Sequence, residues 1–152
     1  LGGAHSVDRL RRGDGIDWWP DERLTPPDVQ HAIDGGPADV LVSHDCPSGV
    51  EIPGLEQSAY RWPAREIQHS EDHGELLGLV VDYVQPAQIW HGHYHQRYRT
   101  WTRFGYGVVM VNGLDCDGTS LAANVDIVDL AGRARTADTA GLVDETGRDD
   151  QP

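Results

Sequence analysis

Three of the eight histidines fall within seven residues, in the segment from Ile89 to His95. They occupy every second position, so in an extended backbone His91, His93 and His95 would project from one face. Neighbours on such a face start roughly 6.6–7 Å apart, and their imidazoles can converge on one metal ion or on two ions about 3.5–4 Å apart. The spacing suits a metal centre, and it equally suits a histidine-rich surface strand.

The elements before this segment favour the metal centre. An apolar helical run ends at Val84, Pro86 stops it, and the residues from Ala87 to Trp90 are typical of a buried strand. In α/β folds, ligands bind beyond the carboxyl ends of such strands. The histidines follow this strand directly, so we expect them at a ligand-binding edge.

The remaining patterns predict an α/β domain of layered type. Thr25-Pro26-Pro27-Asp28 is typical of a helix start, and Ser70 is expected to cap a second helix with a buried apolar stripe. The other expected elements, in chain order, are a glycine-rich strand end at 1–6, a strand at 39–44 ending in His44, a surface loop at 50–68, a hairpin at 97–112 and a last strand at 124–130.

Composition and charge narrow the function classes. The length of 152 residues predicts one domain, and the net charge of −13 argues against a nucleic-acid groove or binding to an anionic membrane. We see no membrane-spanning run and no signal leader, and two cysteines far apart favour a reduced, cytoplasmic protein. Residues 131–152 contain little apolar material, so we expect a disordered acidic tail whose removal leaves the melting temperature nearly unchanged.

Two motifs resemble the calcineurin-like metallophosphoesterases. Val42-Ser43-His44-Asp45-Cys46-Pro47 is similar to that family's strand-ending histidine motif, and Gly92-His93-Tyr94-His95 is similar to its late G-H-x-H motif. The resemblance covers about residues 1–130. It implies a layered β-sandwich flanked by helices and a metal-dependent phosphoesterase that hydrolyses a phosphoester at two divalent ions, Mn, Fe, Zn or Ni.

The resemblance also assigns roles to individual residues. It implies that His44 and His93 bind one metal ion and that His95 binds the other, whereas His91 lies outside the family's ligand set. The family's earlier motifs D-x-H, G-D and G-N-H-(D/E) have no counterpart here. The chain begins at Leu1 and its only methionine is Met110, so we expect the distal half of a domain whose missing N-terminal half acts in cis or in trans. The substrate class stays open.

Two alternatives remain at this point. One is a degenerate relative that keeps part of the metal site as a binding module without catalysis. The other is an unrelated protein with a mononuclear or structural zinc site, in which Cys46 acts beside His44. His69 and His73 are expected at the start of an exposed helix, and they therefore serve as control positions for metal binding.

Overall fold

A four-stranded mixed sheet forms the centre of the structure, which is a computed structural model that describes residues 1–55 and 61–128. The strand order is β1-β2-β4-β3; β1, β2 and β4 run parallel, and β3 is antiparallel to β4. The strands are β1 (Val40–Val42), β2 (Gln88–His91), β3 (Tyr98–Phe104) and β4 (Gly107–Gly113). This confirms the α/β class, while the metallophosphoesterase-like layering stays a prediction.

Strand β2 lies inside the sheet because its residues tolerate burial on both faces. All four of them are buried, and Ile89 pairs with Leu41 on one side and Val111 on the other. These three side chains belong to the main apolar cluster, together with Val80 and Val81 of the long helix. The ends of β1 and β2 consequently lie next to each other, at a fixed register.

Within the described residues, three α-helices accompany the sheet: α1 (Pro26–Asp34), α2 (Ala64–Val84) and the short α3 (Leu121–Asn124). The expected start of α1 is confirmed, since the Asp28 carboxylate accepts a hydrogen bond of 2.8 Å from the backbone N–H of Thr25. Along α2 the apolar stripe is buried as expected, with Leu77, Val80, Val81 and Val84 almost inaccessible. Helix α2 therefore packs its apolar stripe into the core.

Two expected boundaries are wrong. Helix α2 begins at Ala64 and not at Ser70, because Pro63 favours a helix start. The side chain of the buried Glu66, in the first turn, also accepts a hydrogen bond from Arg9, which lies outside the helix. The expected strand at 124–130 is absent over 124–128, where α3 ends and Asp126 accepts a hydrogen bond of 2.9 Å from the N–H of Ile127. Such local side-chain bonds compete with strand pairing.

The expected acidic tail, residues 131–152, lies outside the described residues. Within the described ranges, no helix combines the length and the apolar character needed to cross a membrane.

Candidate metal centre

His44 lies immediately beyond β1, at the carboxyl end of the sheet. Its backbone N–H donates a 3.1 Å hydrogen bond to the carbonyl of Leu1, and its carbonyl accepts one of 3.1 Å from Gly92. The second bond ties the loop after β1 to the segment after β2, because those two strands are adjacent and parallel. The side chain of His44 is exposed.

The backbone of the histidine segment departs from the expected strand. β2 ends at His91, and both His93 and His95 have left-handed φ angles, 64° and 54°. The prediction that His91, His93 and His95 share one face of a strand is therefore wrong. A side chain with a Cβ costs about 1–2 kcal/mol in this conformation. Strained backbone at a strand end is a common property of ligand sites.

The turn at Gly92 brings His93 back over the end of β1. The ring centroids of His44 and His93 lie 5.3 Å apart, at an interplanar angle of 63°. Two imidazoles bound to one tetrahedral ion through nitrogens about 2.0–2.1 Å from the metal have centroids roughly 5 Å apart. The pair therefore fits two ligand positions of one ion, although the spacing is also that of an ordinary edge-to-face ring pair.

His95 is not part of this pair. Its side chain is exposed, and nowhere in residues 1–55 and 61–128 do three or more His, Cys, Asp or Glu side chains form a group able to hold a metal ion. All three proposed ligands nevertheless line one cleft of about 1650 Å³, which also carries seven acidic residues and two arginines. An acidic cleft favours a bound cation, but the described residues complete no metal site.

His91 has a structural position. Its ring is 1% exposed, and its Nδ1–H donates to the Gly92 carbonyl at 2.9 Å. Its Nε2 accepts from the Tyr98 hydroxyl at 2.5 Å, which in turn lies 3.8 Å from the Cys46 sulfur. Burial lowers the pKa of His91, more than the bond to the Gly92 carbonyl raises it. His91 is thus a buried, hydrogen-bonded imidazole beneath the histidine turn.

A buried Asp45–His73 pair lies behind His44, and the sequence analysis missed it. The expectation that His73 is an exposed control position is wrong, because its side chain faces inward from α2 and is 3% exposed. Its Nδ1 lies 2.7 Å from the Oδ2 of Asp45, which is fully buried. The sequence contains a signal for this orientation: His73 lies four residues before Leu77, so both side chains share the buried face of the helix.

The pair has a defined protonation state. The backbone N–H of Leu24 donates to the Nε2 of His73 at 3.1 Å, so the ring proton sits on Nδ1 and is donated to Asp45. Burial raises the pKa of Asp45, but hydrogen bonds from His73 and the Cys46 N–H, with the nearby His93 ring, hold it below the ordinary value. Asp45 is accordingly a buried carboxylate that faces the core and is already occupied by two donors.

A second buried cluster joins the N-terminal segment to α2. Glu66 is 2% exposed and accepts from the Nε of Arg9 at 2.7 Å, and it lies 2.9 Å from the Nε2 of the buried His5. These hydrogen bonds, that of Arg9 first, lower the pKa of Glu66. The cluster therefore ties helix α2 to the N-terminal segment, and the Glu66 carboxylate is already occupied by protein partners.

Cys46 is a poor candidate for a zinc ligand. Its side chain is buried, the sulfur is directed at the Tyr98 hydroxyl, and burial raises the pKa of the thiol to about 12. A zinc ligand must be the thiolate. The geometry therefore disfavours a zinc site built from Cys46 and His44.

No protein-family model matches the chain, and a search of curated proteins finds no significant match. The resemblance to the calcineurin-like metallophosphoesterases accordingly stays a prediction that rests on the two histidine motifs of the sequence.

Proposed function

We propose that this chain supplies histidine ligands to the metal centre of a metal-dependent phosphoesterase. The observation that carries the proposal is the meeting of His44 and His93, which come from motifs about fifty residues apart and face each other across 5.3 Å. The acidic cleft and the left-handed histidine turn support it, since clustered carboxylates attract cations and strained backbone is common at ligand sites.

In this proposal His44 and His93 hold one divalent ion and His95 reaches the second. When bound, such ions would supply the activation of a water molecule and would balance the charge of a phosphoester. The histidines of this chain bind and orient, and Asp45 adds a negative charge behind the pair. Neutral imidazoles are suitable ligands for Zn, Ni or Fe.

The seven acidic side chains that line the cleft form no metal-holding group with the histidines, so we expect the carboxylate ligands from outside the described residues. Asp45 is saturated by His73 and Cys46, and Glu66 is saturated by Arg9 and His5. A second candidate function follows from the same observation, namely a binding module that keeps one metal ion and performs no catalysis. Hydrolysis by the complete assembly separates the two.

The proposal is tested by metal binding to the 152-residue chain. After equilibrium dialysis against Zn²⁺ or Mn²⁺, we expect His44→Ala and His93→Ala each to reduce the bound metal strongly. His95→Ala should reduce it less, because His95 is not part of the ring pair.

His31→Ala is the matched control, because His31 is an exposed histidine on α1 that does not line the cleft. Loss of bound metal in this control, or no loss in His44→Ala, would remove the assignment.

A further inference from the structure

The loop that carries His44 is fixed on both sides of that residue. Before it, the Ser43 hydroxyl donates a 2.7 Å hydrogen bond to the carbonyl of Asp45. After it, the Cys46 N–H donates to the Oδ1 of Asp45 at 2.7 Å. These bonds turn the chain inward directly beyond β1, while the side chain between them, that of His44, stays exposed.

The second oxygen of Asp45 connects this loop to helix α2. His73, 28 residues further along the chain, donates to the Oδ2 at 2.7 Å. The ring cannot flip without loss, since the Leu24 N–H already donates to its other nitrogen. Both side chains are buried, Asp45 completely and His73 to 97%, so water cannot replace either bond. The helix therefore holds Asp45 in a single position.

His44 and Asp45 follow each other in the bend beyond β1, where the exposed His44 lines the cleft and Asp45 is buried. As long as His73 holds Asp45 in the core, this bend keeps His44 on the outer side, in the cleft and beside His93. We propose that the Asp45–His73 pair is a positioning device for His44, and hence for the metal centre; this inference rests on the proposed function. Neither residue binds the ion.

A purely structural role makes a different prediction. If the pair served only the stability of the core, its loss would resemble the loss of any buried group of α2, and a folded variant would keep the His44–His93 geometry. If it positions His44, the geometry and the metal affinity change together, even where the protein stays folded. Partners of this kind typically change metal affinity by about 10–100-fold when they are lost.

The experiment uses the full chain and Ni²⁺ alone. The dissociation constant is read from the broadening of the assigned ring C–H signals of His93, which remains measurable for weak binding. The second measurement, made on the metal-free protein, is the nuclear Overhauser effect between the ring protons of His44 and His93. We expect His73→Leu to weaken Ni²⁺ binding about 10–100-fold and to abolish the ring-to-ring effect.

Two matched variants separate position from stability. His73→Asn keeps an N–H donor close to the position of Nδ1, so it should retain nearly wild-type Ni²⁺ affinity. Val80→Ala creates a cavity beneath the same helix and leaves the Asp45–His73 pair in place. It should therefore lower the stability but change neither the Ni²⁺ dissociation constant nor the ring-to-ring effect. Equal weakening in Val80→Ala would overturn the proposal.

His73→Leu with wild-type affinity and an intact ring-to-ring effect would also overturn it. Should the leucine variant fail to fold, Asp45→Asn replaces it: its single carbonyl oxygen cannot accept from both Cys46 and His73, so the same losses are expected. If the wild-type chain binds no Ni²⁺, the proposed function is wrong, and the metal-free ring-to-ring effect still decides whether the pair positions His44.

Discussion

At the scale of single residues, burial shifts the pKa of histidines that are held by hydrogen bonds. His5 is 1% exposed, and burial lowers its pKa despite the bond to Glu66, which raises it. The folded protein therefore keeps His5 neutral at a pH where an unfolded chain, with a histidine pKa of about 6.5, already takes up a proton.

The stability of the protein is accordingly expected to fall as the pH drops below about 6.5. The unfolded state binds the additional proton, so the free energy of unfolding decreases with decreasing pH until the folded pKa of His5 is passed. Glu66, whose pKa is lowered chiefly by Arg9, adds a further decrease below about pH 4.3. Urea denaturation at pH 8, 6 and 5 measures the decrease in the free energy of unfolding that comes from His5.

His5→Gln is the matching variant, since its amide can still donate to Glu66 but does not titrate. We expect it to lose less stability than the wild type between pH 8 and pH 5. The variant should still lose some stability as the pH falls, because burial also lowers the pKa of His91. Identical slopes for the two proteins would show that His5 does not titrate on unfolding.

At the scale of elements, the β3–β4 hairpin sets the wall behind the histidine turn. The two strands are joined by Gly105 and Tyr106, and this connection fixes a register in which Tyr98 lies opposite Gly113. The Tyr98 ring occupies the space that a side chain at Gly113 would take, and its hydroxyl donates to His91. Position 113 thus requires glycine, because the Tyr98 ring lies too close to the backbone for any side chain there.

Gly113→Ala should consequently destabilise the protein by about 1–3 kcal/mol, the usual cost of overpacking a core. The new methyl group would overlap the Tyr98 ring, and the rigid aromatic side chain has to move away from His91. Chemical denaturation measures the loss. Gly105→Ala is the control, because a methyl group there meets open space, and the two variants should differ clearly.

At the scale of the whole molecule, the proposed two-ion centre needs more ligands than His44, His93 and His95, because the described residues form no group able to hold a metal ion. Two divalent cations about 4 Å apart repel each other by about 16 kcal/mol at an effective dielectric constant of 20, four times the unit-charge value. Neutral imidazoles do not offset this repulsion, and both buried carboxylates near the cleft wall, Asp45 and Glu66, are occupied by protein donors.

We therefore expect the 152-residue chain to bind at most one metal ion weakly and to hydrolyse no phosphoester above background. The assay is metal-dependent turnover of bis-p-nitrophenyl phosphate, followed by release of nitrophenolate. A polypeptide that carries the D-x-H and G-N-H motifs, fused upstream or added as a separate chain, should restore both ions and turnover. Robust turnover by the chain alone would contradict the expectation.

Local sequence patterns determined a large part of this fold. The apolar stripe of α2, the proline-rich start of α1, the buried β2 and the alternating β3 are all present, because these features depend on periodicity and on the conformational limits of proline. The candidate ligands His44 and His93 were also predictable from their motifs, since residues that end adjacent parallel strands must meet at one edge of the sheet.

Only the tertiary structure decided how the histidines are used. The left-handed turn at His93 replaced the expected strand, because the chain must bend over the end of β1 to place that ring beside His44. The role of His73 was likewise hidden, since its partner Asp45 lies 28 residues away and the contact forms only when α2 packs on the loop after β1. The partners of a long-range hydrogen bond are decided only in the packed chain, and no local pattern specifies them.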